Sequence, residues 1–366
     1  MFLAKVKKVD WFILAAVILL GALGMVIIYS TTLDSGETFT RFHKQALSFV
    51  IGMSAFVVLA IIDYRTFRSM AAPLFVVLAL LLIAVLIFGI EVRGAKSWFD
   101  LGFYRLQPSE IGKFIMVVAL AKYFSDHMKD RRRLKMVAVS AVYTLLPAAL
   151  ILVEPDLGTA MVYGGLWLSM LFATGTRARN YALIAVVAIV AAVFAWSFLL
   201  ADYQKDRLIS FVDPTYDPLD QGYNITQSQI AIGSGGLLGK GLGHGSQSQL
   251  KFLPEQQTDF IFAATAEELG LAGSAFLILL FGFLIVRTIW VAKISRDDFG
   301  MFIAIGVAAI LLIQTLVNIG MNLGLMPVTG IPLPLVSYGG SSVLVTLALL
   351  GLVESVYIRH RMIDFR

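Results

Sequence analysis

Long apolar stretches, separated by short polar segments, recur along the whole chain. A helix needs about 20 predominantly apolar residues to cross the hydrocarbon core of a bilayer. The pattern therefore predicts an all-α polytopic membrane protein with ten transmembrane helices, in a single membrane domain over residues 1–366. The predicted helices cover residues 11–30, 45–62, 72–90, 107–126, 136–153, 159–175, 180–201, 270–292, 299–324 and 335–358.

The eighth apolar stretch, residues 260–293, is longer than one crossing requires. Glu267, Glu268 and Gly270 interrupt it near its start. Carboxylates are costly inside the hydrocarbon core, and glycine is a poor helix former. We therefore predict a short helix over about residues 259–268, followed by the crossing itself.

The composition agrees with a membrane protein and excludes cysteine chemistry. Hydrophobic residues make up 58% of the chain and charged residues only 14%, against about 45–50% and about 25% in soluble domains. The mean hydropathy is +0.83. The chain has no cysteine, so it has neither disulfides nor a cysteine metal site or nucleophile.

Lysine and arginine are distributed unequally between the two sets of loops. Of the 29 such residues, 19 fall on the side that carries both termini. Cytoplasmic loops carry this excess, so we place both termini in the cytoplasm and the protein in the cytoplasmic (inner) membrane. The basic run "KDRRRLK" (129–135) is then a topology signal, and the sequence pI of about 9.3 does not indicate nucleic acid. The long loop between helices 7 and 8, residues 202–268, is extracytoplasmic.

A glycine-rich stretch in this loop, "IAIGSGGLLGKGLGHGSQSQ" (230–249), has some likeness to a phosphate-binding loop. The pattern G-x-x-x-x-G-K-[ST] fails, because Ser234 and Gly241 stand at two of its required positions. The loop also lies on the wrong side of the membrane for ATP. Two interpretations stay open: a folded loop with many turns, or turns that let the backbone approach a ligand closely.

Several charged residues lie at the outer ends of predicted helices. Glu110 and Lys113 are three apart, on one helical face, and can form an ion pair or charge an outward-facing cavity. Asp156 can cap the next helix or face a ligand. Lys44, beside Gln45, can extend to the membrane interface or face a ligand.

Asp259 lies at the start of the predicted short helix, outside the cytoplasm. Either Thr258 or Asp259 can cap that helix, and the helix dipole favours an acid there. Alternatively, Asp259 is a catalytic base. No Ser, His and Asp arrangement and no zinc-ligand spacing competes with it on the outer side. If the protein is an enzyme, an outer carboxylate is therefore the best candidate for its base.

Four stretches of the sequence resemble the SEDS family (shape, elongation, division and sporulation), and within it the RodA type. The likeness covers essentially the whole chain, and the motifs are long. They are "RGAKSWFDLGFYRLQPSEIGKF" (93–114), "EPDLGTA" (154–160), "YNITQSQIAIGSGGLLGKGLGHGSQSQLKFLPEQQTDFIFAATAEELG" (223–270) and "NIGMNLGLMPVTGIPLPLVSYGGSS" (318–342). Two departures stand out. "QQTDF" lacks the His that many relatives place before the Thr, and "HKQ" (43–45) leaves Lys44 as the stand-in for a basic residue before the Gln.

The resemblance implies a peptidoglycan glycosyltransferase that extends glycan strands from lipid II at the outer membrane face during cell elongation. The family's essential Asp falls on Asp259. Implied partners are a class B penicillin-binding protein, other elongation-complex proteins and membrane lipids. A divalent cation, Mg²⁺ or Mn²⁺, is compatible with pyrophosphate chemistry, although the sequence has no metal-ligand cluster. Implied substrate-binding residues are Lys44, Arg93, Trp98, Glu110, Lys113, Asp156, Gln227 and Ser341.

Two other functions remain open at this point. A lipid II flippase would also need many membrane helices, but transporters place their key charges near the bilayer midplane, often within repeats. Here the acids cluster at the outer edge, and no internal repeat is visible. A membrane scaffold for the penicillin-binding protein would need no catalytic carboxylate, so it would tolerate Asp259→Asn.

Overall fold

The structure is a computed structural model that describes residues 8–33, 38–92, 95–100, 102, 105–198, 202–213, 216, 221–250, 252–253 and 255–363. Within these residues, eight helices are long and apolar enough to cross a membrane, and Leu157–Ala173 is a shorter apolar helix. The protein is therefore a multi-pass, all-helical membrane protein.

The helices before the long outer loop are α1 (Trp11–Thr32), α2 (Thr38–Ile61), α3 (Tyr64–Phe88), α4 (Pro108–Asp126), α5 (Leu134–Val153), α6 (Leu157–Ala173) and α7 (Ala178–Phe198). The outer loop contains α8 (Asp202–Val212), α9 (Gln221–Ser234) and α10 (Ser246–Gln249). The chain then forms α11 (Ile261–Ile294), α12 (Asp298–Asn322) and α13 (Gly340–Ile363). A short 3-10 helix, Met128–Asp130, lies between α4 and α5.

The last two helices form the centre of the molecule. We compare the most apolar 18-residue stretch of each helix. In this stretch, 72% of the residues of α12 and 94% of those of α13 are buried inside the protein, whereas none of those of α7 is. Within α7, Asn180 is buried, and Tyr181 and Ile184, near the same end, pack against the core. The core therefore lies around α12 and α13, and α7 lies at the periphery.

The observed helices differ in detail from the ten predicted ones. The fourth, α4, has 19 residues but carries Glu110 and Lys113 in its first two turns, so it is less apolar than the eight long helices. The third begins at Tyr64 rather than at residue 72, because the Asp63 side chain accepts a hydrogen bond from the Arg65 amide and caps it. A helix whose first turn is polar therefore begins several residues before its apolar run, and the apolar run alone does not predict its start.

The connection between α3 and α4, for which no secondary structure was predicted, forms a small antiparallel sheet. It consists of β1 (Ile90–Val92), β2 (Ala95–Asp100) and β3 (Arg105–Leu106), in the order β1-β2-β3. Ile90 pairs with Trp98, and Phe99 pairs with Leu106. These strands are too short to give a period-two pattern that stands out from a loop. The sheet ends directly before α4, which begins at Pro108, a residue well suited to the first position of a helix.

Helix α11 is two helices joined at Gly270, as predicted. Gly270 has φ 68° and ψ −166°, which separates an outer segment (261–269) from a spanning segment (271–294). This backbone conformation is accessible essentially only to glycine. A Cβ at Gly270 would also lie 2.3 Å from the Gly239 amide nitrogen. The prediction of a short helix followed by a crossing is therefore confirmed.

The glycine-rich stretch is folded into turns, and Glu267 holds it together, while the close approach of a ligand to these turns stays a prediction. The buried Glu267 carboxylate accepts hydrogen bonds from Lys240 Nζ at 2.9 Å, the Gln247 amide at 2.9 Å, and the Ser248 amide at 3.0 Å. The acid that interrupts the apolar run is thus the central acceptor of the outer loop. A carboxylate is well suited to this because it accepts several hydrogen bonds at once.

Candidate functional site

Asp259 lies in a turn directly before α11, and its side chain is half-buried. The helix N-cap is Phe260, with no side-chain capping bond. The expectation that Thr258 or Asp259 caps this helix is therefore wrong. Instead, Asn322 of α12 supplies the cap, because its Oδ1 accepts a hydrogen bond from the Ala263 amide at 3.0 Å.

Two buried asparagines of α12 hold the backbone of Asp259. The side-chain Nδ2 atoms of Asn318 and Asn322 each donate to the Asp259 carbonyl oxygen at 3.0 Å. Asn318 Nδ2 also donates to the Ile331 carbonyl oxygen at 2.8 Å. Both side chains are fully buried. This pair was not predicted, although two asparagines one turn apart in an apolar helix, "NIGMN" (318–322), are a signal that the sequence contains.

The segment between α12 and α13 lies against the Asp259 turn. A Cβ at Gly330 would be 3.8 Å from Asp259 Oδ2, so this part of the segment faces the carboxylate. Ser337 Oγ donates to the Thr258 carbonyl oxygen at 2.6 Å. Leu335, which is buried, has φ 65°, an unfavourable backbone conformation for a residue with a side chain. We call residues 327–341 the outer strap.

The outer end of α2 completes this side of the site. Gln45 binds the strap twice: its Nε2 donates to the Ser337 carbonyl oxygen at 3.0 Å, and its Oε1 accepts from the Gly339 amide at 3.2 Å. Arg41, one turn earlier on the same face, donates to Gln257 Oε1. Lys44 is exposed. Among the described residues, Arg41 is therefore a cation that contacts the Asp259 turn, and the sequence analysis did not select it.

Glu110 and Lys113 form a buried ion pair at the start of α4. The distance from Lys113 Nζ to Glu110 Oε1 is 2.6 Å, and the two side chains are 3% and 5% exposed. The predicted ion pair is confirmed. Tyr163 of α6 donates to the Ser109 carbonyl oxygen at 2.9 Å and packs this helix start against α6. Because each charge neutralises the other, this pair supplies little net charge to its surroundings.

Asp156 caps α6, as one of its two interpretations predicted. Its Oδ1 accepts from the Thr159 amide at 2.9 Å, and its Oδ2 accepts from Gln107 Nε2 at 3.1 Å. Two residues earlier, Glu154 is fully buried, and neither of its carboxyl oxygens has a hydrogen-bond partner among the described residues. Burial, together with the neighbouring Asp156 carboxylate, raises the pKa of Glu154 to about 8.

We call the Asp259 turn with its asparagines the first cluster, and Glu110, Lys113, Glu154 and Asp156 the second cluster. The remaining predicted substrate residues lie on elements next to the second cluster or on the long loop. Ser341, at the start of α13, is buried and donates to the Arg105 carbonyl oxygen at 3.1 Å. Trp98 in β2 is partly buried, and Gln227 on α9 is half-buried. Arg93 lies outside the described residues.

The outer strap joins the two clusters. A Cβ at Gly158, in the first turn of α6, would lie 2.6 Å from the Thr329 carbonyl oxygen, so α6 contacts the strap next to Gly330. At the other end of the strap, Ser341 Oγ accepts from the Gln107 amide at 3.4 Å. The strap therefore contacts the starts of α4 and α6 and the turn before α11. Two of these elements carry the carboxylates Asp156 and Asp259, and carboxylates are groups that acid–base chemistry uses.

The described residues contain no group of three or more His, Cys, Asp or Glu side chains that could hold a metal ion. The divalent cation that the resemblance allows therefore stays a proposal.

Comparison with protein families identifies one match over nearly the whole chain. Residues 10–362 match the family of FtsW, RodA and SpoVE, described as cell cycle proteins. The chain is 42% identical to peptidoglycan glycosyltransferase MrdB of Escherichia coli (strain K12), over 90% of this chain and 89% of that protein. It is 36% identical to stage V sporulation protein E of Bacillus subtilis (strain 168), over 96% and 98%.

Solved structures share the fold along the whole chain. One is a chain from a study of how a peptidoglycan synthase complex coordinates polymerization and crosslinking. It gives a TM-score of 0.80 at 31% identity and covers 97% of this chain and 99% of that one. Another is the rod shape determining protein RodA of Thermus thermophilus, with a TM-score of 0.71 at 31% identity, over 97% and 98%.

Proposed function

The chain belongs to the FtsW/RodA/SpoVE family of cell cycle proteins, and from this premise we propose how its outer end carries out glycan polymerisation. The protein is a peptidoglycan glycosyltransferase of the RodA type and a multi-pass membrane protein. We propose that it extends glycan strands from lipid II at the outer face of the cytoplasmic membrane during cell elongation, and that Asp259 is the general base.

We propose a membrane topology with ten crossings and cytoplasmic termini. The eight long helices, the shorter α6 and the 19-residue α4 together make ten. The excess of Lys and Arg on one side, 19 of 29, orients them. Asp259, the strap and the loop before α11 then lie at the outer surface, where lipid II presents its sugars.

The observation that carries the proposal is the way Asp259 is held. Its carbonyl oxygen is held by Asn318 and Asn322, and its carboxylate faces Gly330 of the strap. A glycosyl transfer needs a base to take the proton of the acceptor 4-hydroxyl, because an alcohol is a poor nucleophile. A positioned general base contributes about 100- to 10,000-fold to the rate, and a fixed backbone positions it.

In the proposed reaction, the Asp259 carboxylate takes the proton of the acceptor 4-hydroxyl. That oxygen forms a bond with the anomeric carbon of the donor glycan, and the bond from this carbon to the lipid pyrophosphate breaks. The electron pair of the broken bond leaves on the pyrophosphate. A single carboxylate fits an inverting displacement, by analogy with glycosidases in which base and leaving group lie on opposite faces of the sugar.

The leaving pyrophosphate requires positive charge near the turn. We propose that Arg41 supplies part of it, because Arg41 contacts Gln257, two residues from Asp259, and guanidinium groups bind phosphates well. Lys44, which is exposed on the same helix end, is the second candidate. Lys113 is engaged by Glu110. A Mg²⁺ or Mn²⁺ ion stays a proposal, since no protein ligand cluster supports it among the described residues.

We also propose that residues at the second cluster and on the outer loop contact the substrate, as the resemblance implies. The strap gives them a common location, because it contacts the starts of α4, α6 and α11. A long disaccharide-peptide substrate spans more than one of these elements. The residues concerned are Arg93, Trp98, Glu110, Asp156, Gln227 and Ser341.

The test is polymerisation of labelled lipid II by purified protein in detergent, with and without its cognate class B penicillin-binding protein. The variants are Asp259→Asn and, as a matched control, Glu255→Gln, which removes an exposed carboxylate from the same turn. We expect glycan ladders from wild type and from Glu255→Gln, and none from Asp259→Asn. Ladders of equal strength from wild type and Asp259→Asn would remove Asp259 as the base.

The flippase and scaffold functions predict different outcomes of the same experiment. Neither would give ladders from wild type, even with the penicillin-binding protein. We propose that a class B penicillin-binding protein and other elongation-complex proteins are partners, which the likeness to a chain of a peptidoglycan synthase complex supports. If partner binding survives Asp259→Asn while ladders vanish, docking and catalysis are separate properties of one chain.

A further inference from the structure

Two leucines in the glycine-rich loop are among the most exposed apolar residues of the protein. Leu237 is 71% exposed and Leu238 is 83% exposed. They lie in the tight turn "SGGLLGKGL" (234–242), on the side of the membrane where water surrounds most loops. The hydrogen bonds within the loop explain how the turn folds, but they do not explain why its tip carries two large apolar side chains.

The turn is bonded directly to the membrane helix at its kink. The Leu271 amide donates to the Gly236 carbonyl oxygen at 2.9 Å, and the Ala272 amide donates to the Leu237 carbonyl oxygen at 3.1 Å. These are the first amides of the spanning segment of α11. The turn therefore lies at the same level in the membrane as residues 271–272, next to Leu271, which is itself 60% exposed.

The length of the spanning segment gives the depth of Leu271 in the membrane. At about 1.5 Å per residue, Leu271 lies about 24 Å along the helix from Arg287 and about 33 Å from Lys293. Arg287 pairs at 2.7 Å with Asp10, the cap at the cytoplasmic end of α1 in the proposed topology. The hydrocarbon core is about 30 Å thick. Leu271, and the turn bonded to it, are therefore at the outer boundary of the hydrocarbon.

Most of the turn's backbone groups that face α11 are paired, which lowers the cost of placing the turn at the membrane boundary. Irregular backbone within a bilayer is tolerated only where its N–H and C=O groups find partners. The Gly239 amide bonds the Gly235 carbonyl oxygen at 2.8 Å, and the Lys240 and Gly241 amides bond the last carbonyls of the outer segment at 3.0 Å each. The Lys240 ammonium is paired with the buried Glu267 carboxylate at 2.9 Å.

From these observations we propose that the turn 234–242 is inserted in the outer leaflet, where Leu237 and Leu238 contact the acyl chains of bilayer lipids. The apolar surface of the turn continues the lipid-facing side of α11, on which Leu279 is 70% exposed. The occupant is the bulk lipid of the outer leaflet. The insertion holds the outer loop, and with it the outer segment of α11 that follows Asp259, at a fixed height above the bilayer.

The absence of cysteine from the chain allows a direct test. Leu238→Cys carries a nitroxide spin label in the full-length protein in nanodiscs, and the collision rates with oxygen and with a water-soluble nickel chelate are measured. Leu279→Cys is the lipid-facing reference. Arg132→Cys, an exposed position in the loop between α4 and α5, is the aqueous reference. We expect the oxygen-to-nickel ratio at position 238 to exceed that at 132 several-fold and to lie below that at 279, because position 279 is about 12 Å deeper along the helix.

Two results would overturn the proposal. A ratio at position 238 equal to that at 132 would place the turn in water. A label that collides slowly with both reagents would mean that protein, such as a second copy of the chain, covers the leucines. Because this readout does not depend on catalysis, it separates the membrane position of the turn from the role of Asp259. The ratios at positions 132 and 279 also show whether these two reference positions lie in water and in lipid, as the proposed topology requires.

Discussion

The two asparagines of α12 stabilise the Asp259 turn through hydrogen bonds to its backbone. We therefore expect the substitution of one of them to affect catalysis. Asn322→Ala removes a donor to the Asp259 carbonyl and leaves the Ala263 amide of α11 without its acceptor. A buried donor without a partner costs about 1–3 kcal/mol. A displacement of the base by about 1 Å reduces the rate by roughly 100-fold. We therefore expect a large fall in kcat with a smaller change in KM for lipid II.

Gln314→Ala is the matched control for Asn322→Ala. Gln314 lies on α12 two turns before Asn322 and is equally buried, and its side-chain nitrogen has no hydrogen-bond partner among the described residues. It tests whether any truncation of a polar side chain in this helix lowers the rate. An equal loss of kcat in both variants, at matched thermal stability, would mean that the asparagines do not position the base.

Arg41 and Lys44 give a second prediction, since only Arg41 has a described contact with the Asp259 turn. If Arg41 compensates the leaving pyrophosphate, Arg41→Ala lowers kcat/KM by at least about tenfold, which corresponds to about 1.4 kcal/mol. Lys44→Ala stays within about twofold of wild type, as surface substitutions usually do. Steady-state polymerisation rates for the two variants decide this. The reverse ranking would show that the sequence-based choice of Lys44 was the better one.

Glu154 predicts a pH dependence of stability. Its pKa is raised by burial from 4.5 to about 8, so the folded protein holds a proton that the unfolded chain releases above about pH 4.5. Stability therefore falls as pH rises from about 4.5 to about 8, by an amount on the order of a few kcal/mol. Glu154→Gln abolishes this loss. We expect its melting temperature to exceed that of wild type at pH 9 and to match it at pH 4. Glu91→Gln, in the exposed part of the outer sheet, is the control that keeps the wild-type profile.

At the scale of elements, the contact between the glycine turn and α11 predicts which glycines are replaceable. Gly239 has φ 80°, and a Cβ there would lie 2.1 Å from the Glu268 carbonyl oxygen. Gly239→Ala therefore combines an unfavourable backbone conformation, about 1–2 kcal/mol, with a backbone clash. Gly233 lies in α9 with open space around it. Thermal unfolding in detergent should show a clear loss for Gly239→Ala and no loss for Gly233→Ala.

The elements that could be predicted from sequence are of two kinds. Some are long apolar helices, and others are marked by charged residues or glycine within an apolar run. The break in α11 was predictable because two acids and Gly270 interrupt an apolar stretch. The Glu110–Lys113 pair was predictable from helical spacing. The outer sheet was not, because strands of two to six residues carry too little pattern. The strap was not either, since its shape depends on contacts with Gln45 and Thr258 from distant parts of the chain.

The sequence predicts Asp259 as the candidate base, from its place beside an apolar run and from the family resemblance, and this role stays a prediction. The support of its turn was not predictable, because the side chains that hold its backbone are 59 and 63 residues further along the chain. Capping of α11 was wrongly assigned to Thr258 or Asp259 for the same reason, because the acceptor comes from α12. Local rules describe bonds within a few residues, and here the important bonds join separate helices.

At the scale of the whole molecule, the proposed topology determines which side of the membrane each loop meets. The chain has no cysteine, so single cysteines at exposed loop positions are unique targets for a membrane-impermeant maleimide. Tyr216, 57% exposed, follows α8 in the outer loop, and Arg132 lies between α4 and α5. In sealed right-side-out vesicles, we expect Tyr216→Cys to be labelled directly and Arg132→Cys only after permeabilisation. The opposite order would put Asp259 in the cytoplasm, away from any extracytoplasmic glycan strand, and polymerisation at the outer face would then be impossible for this chain.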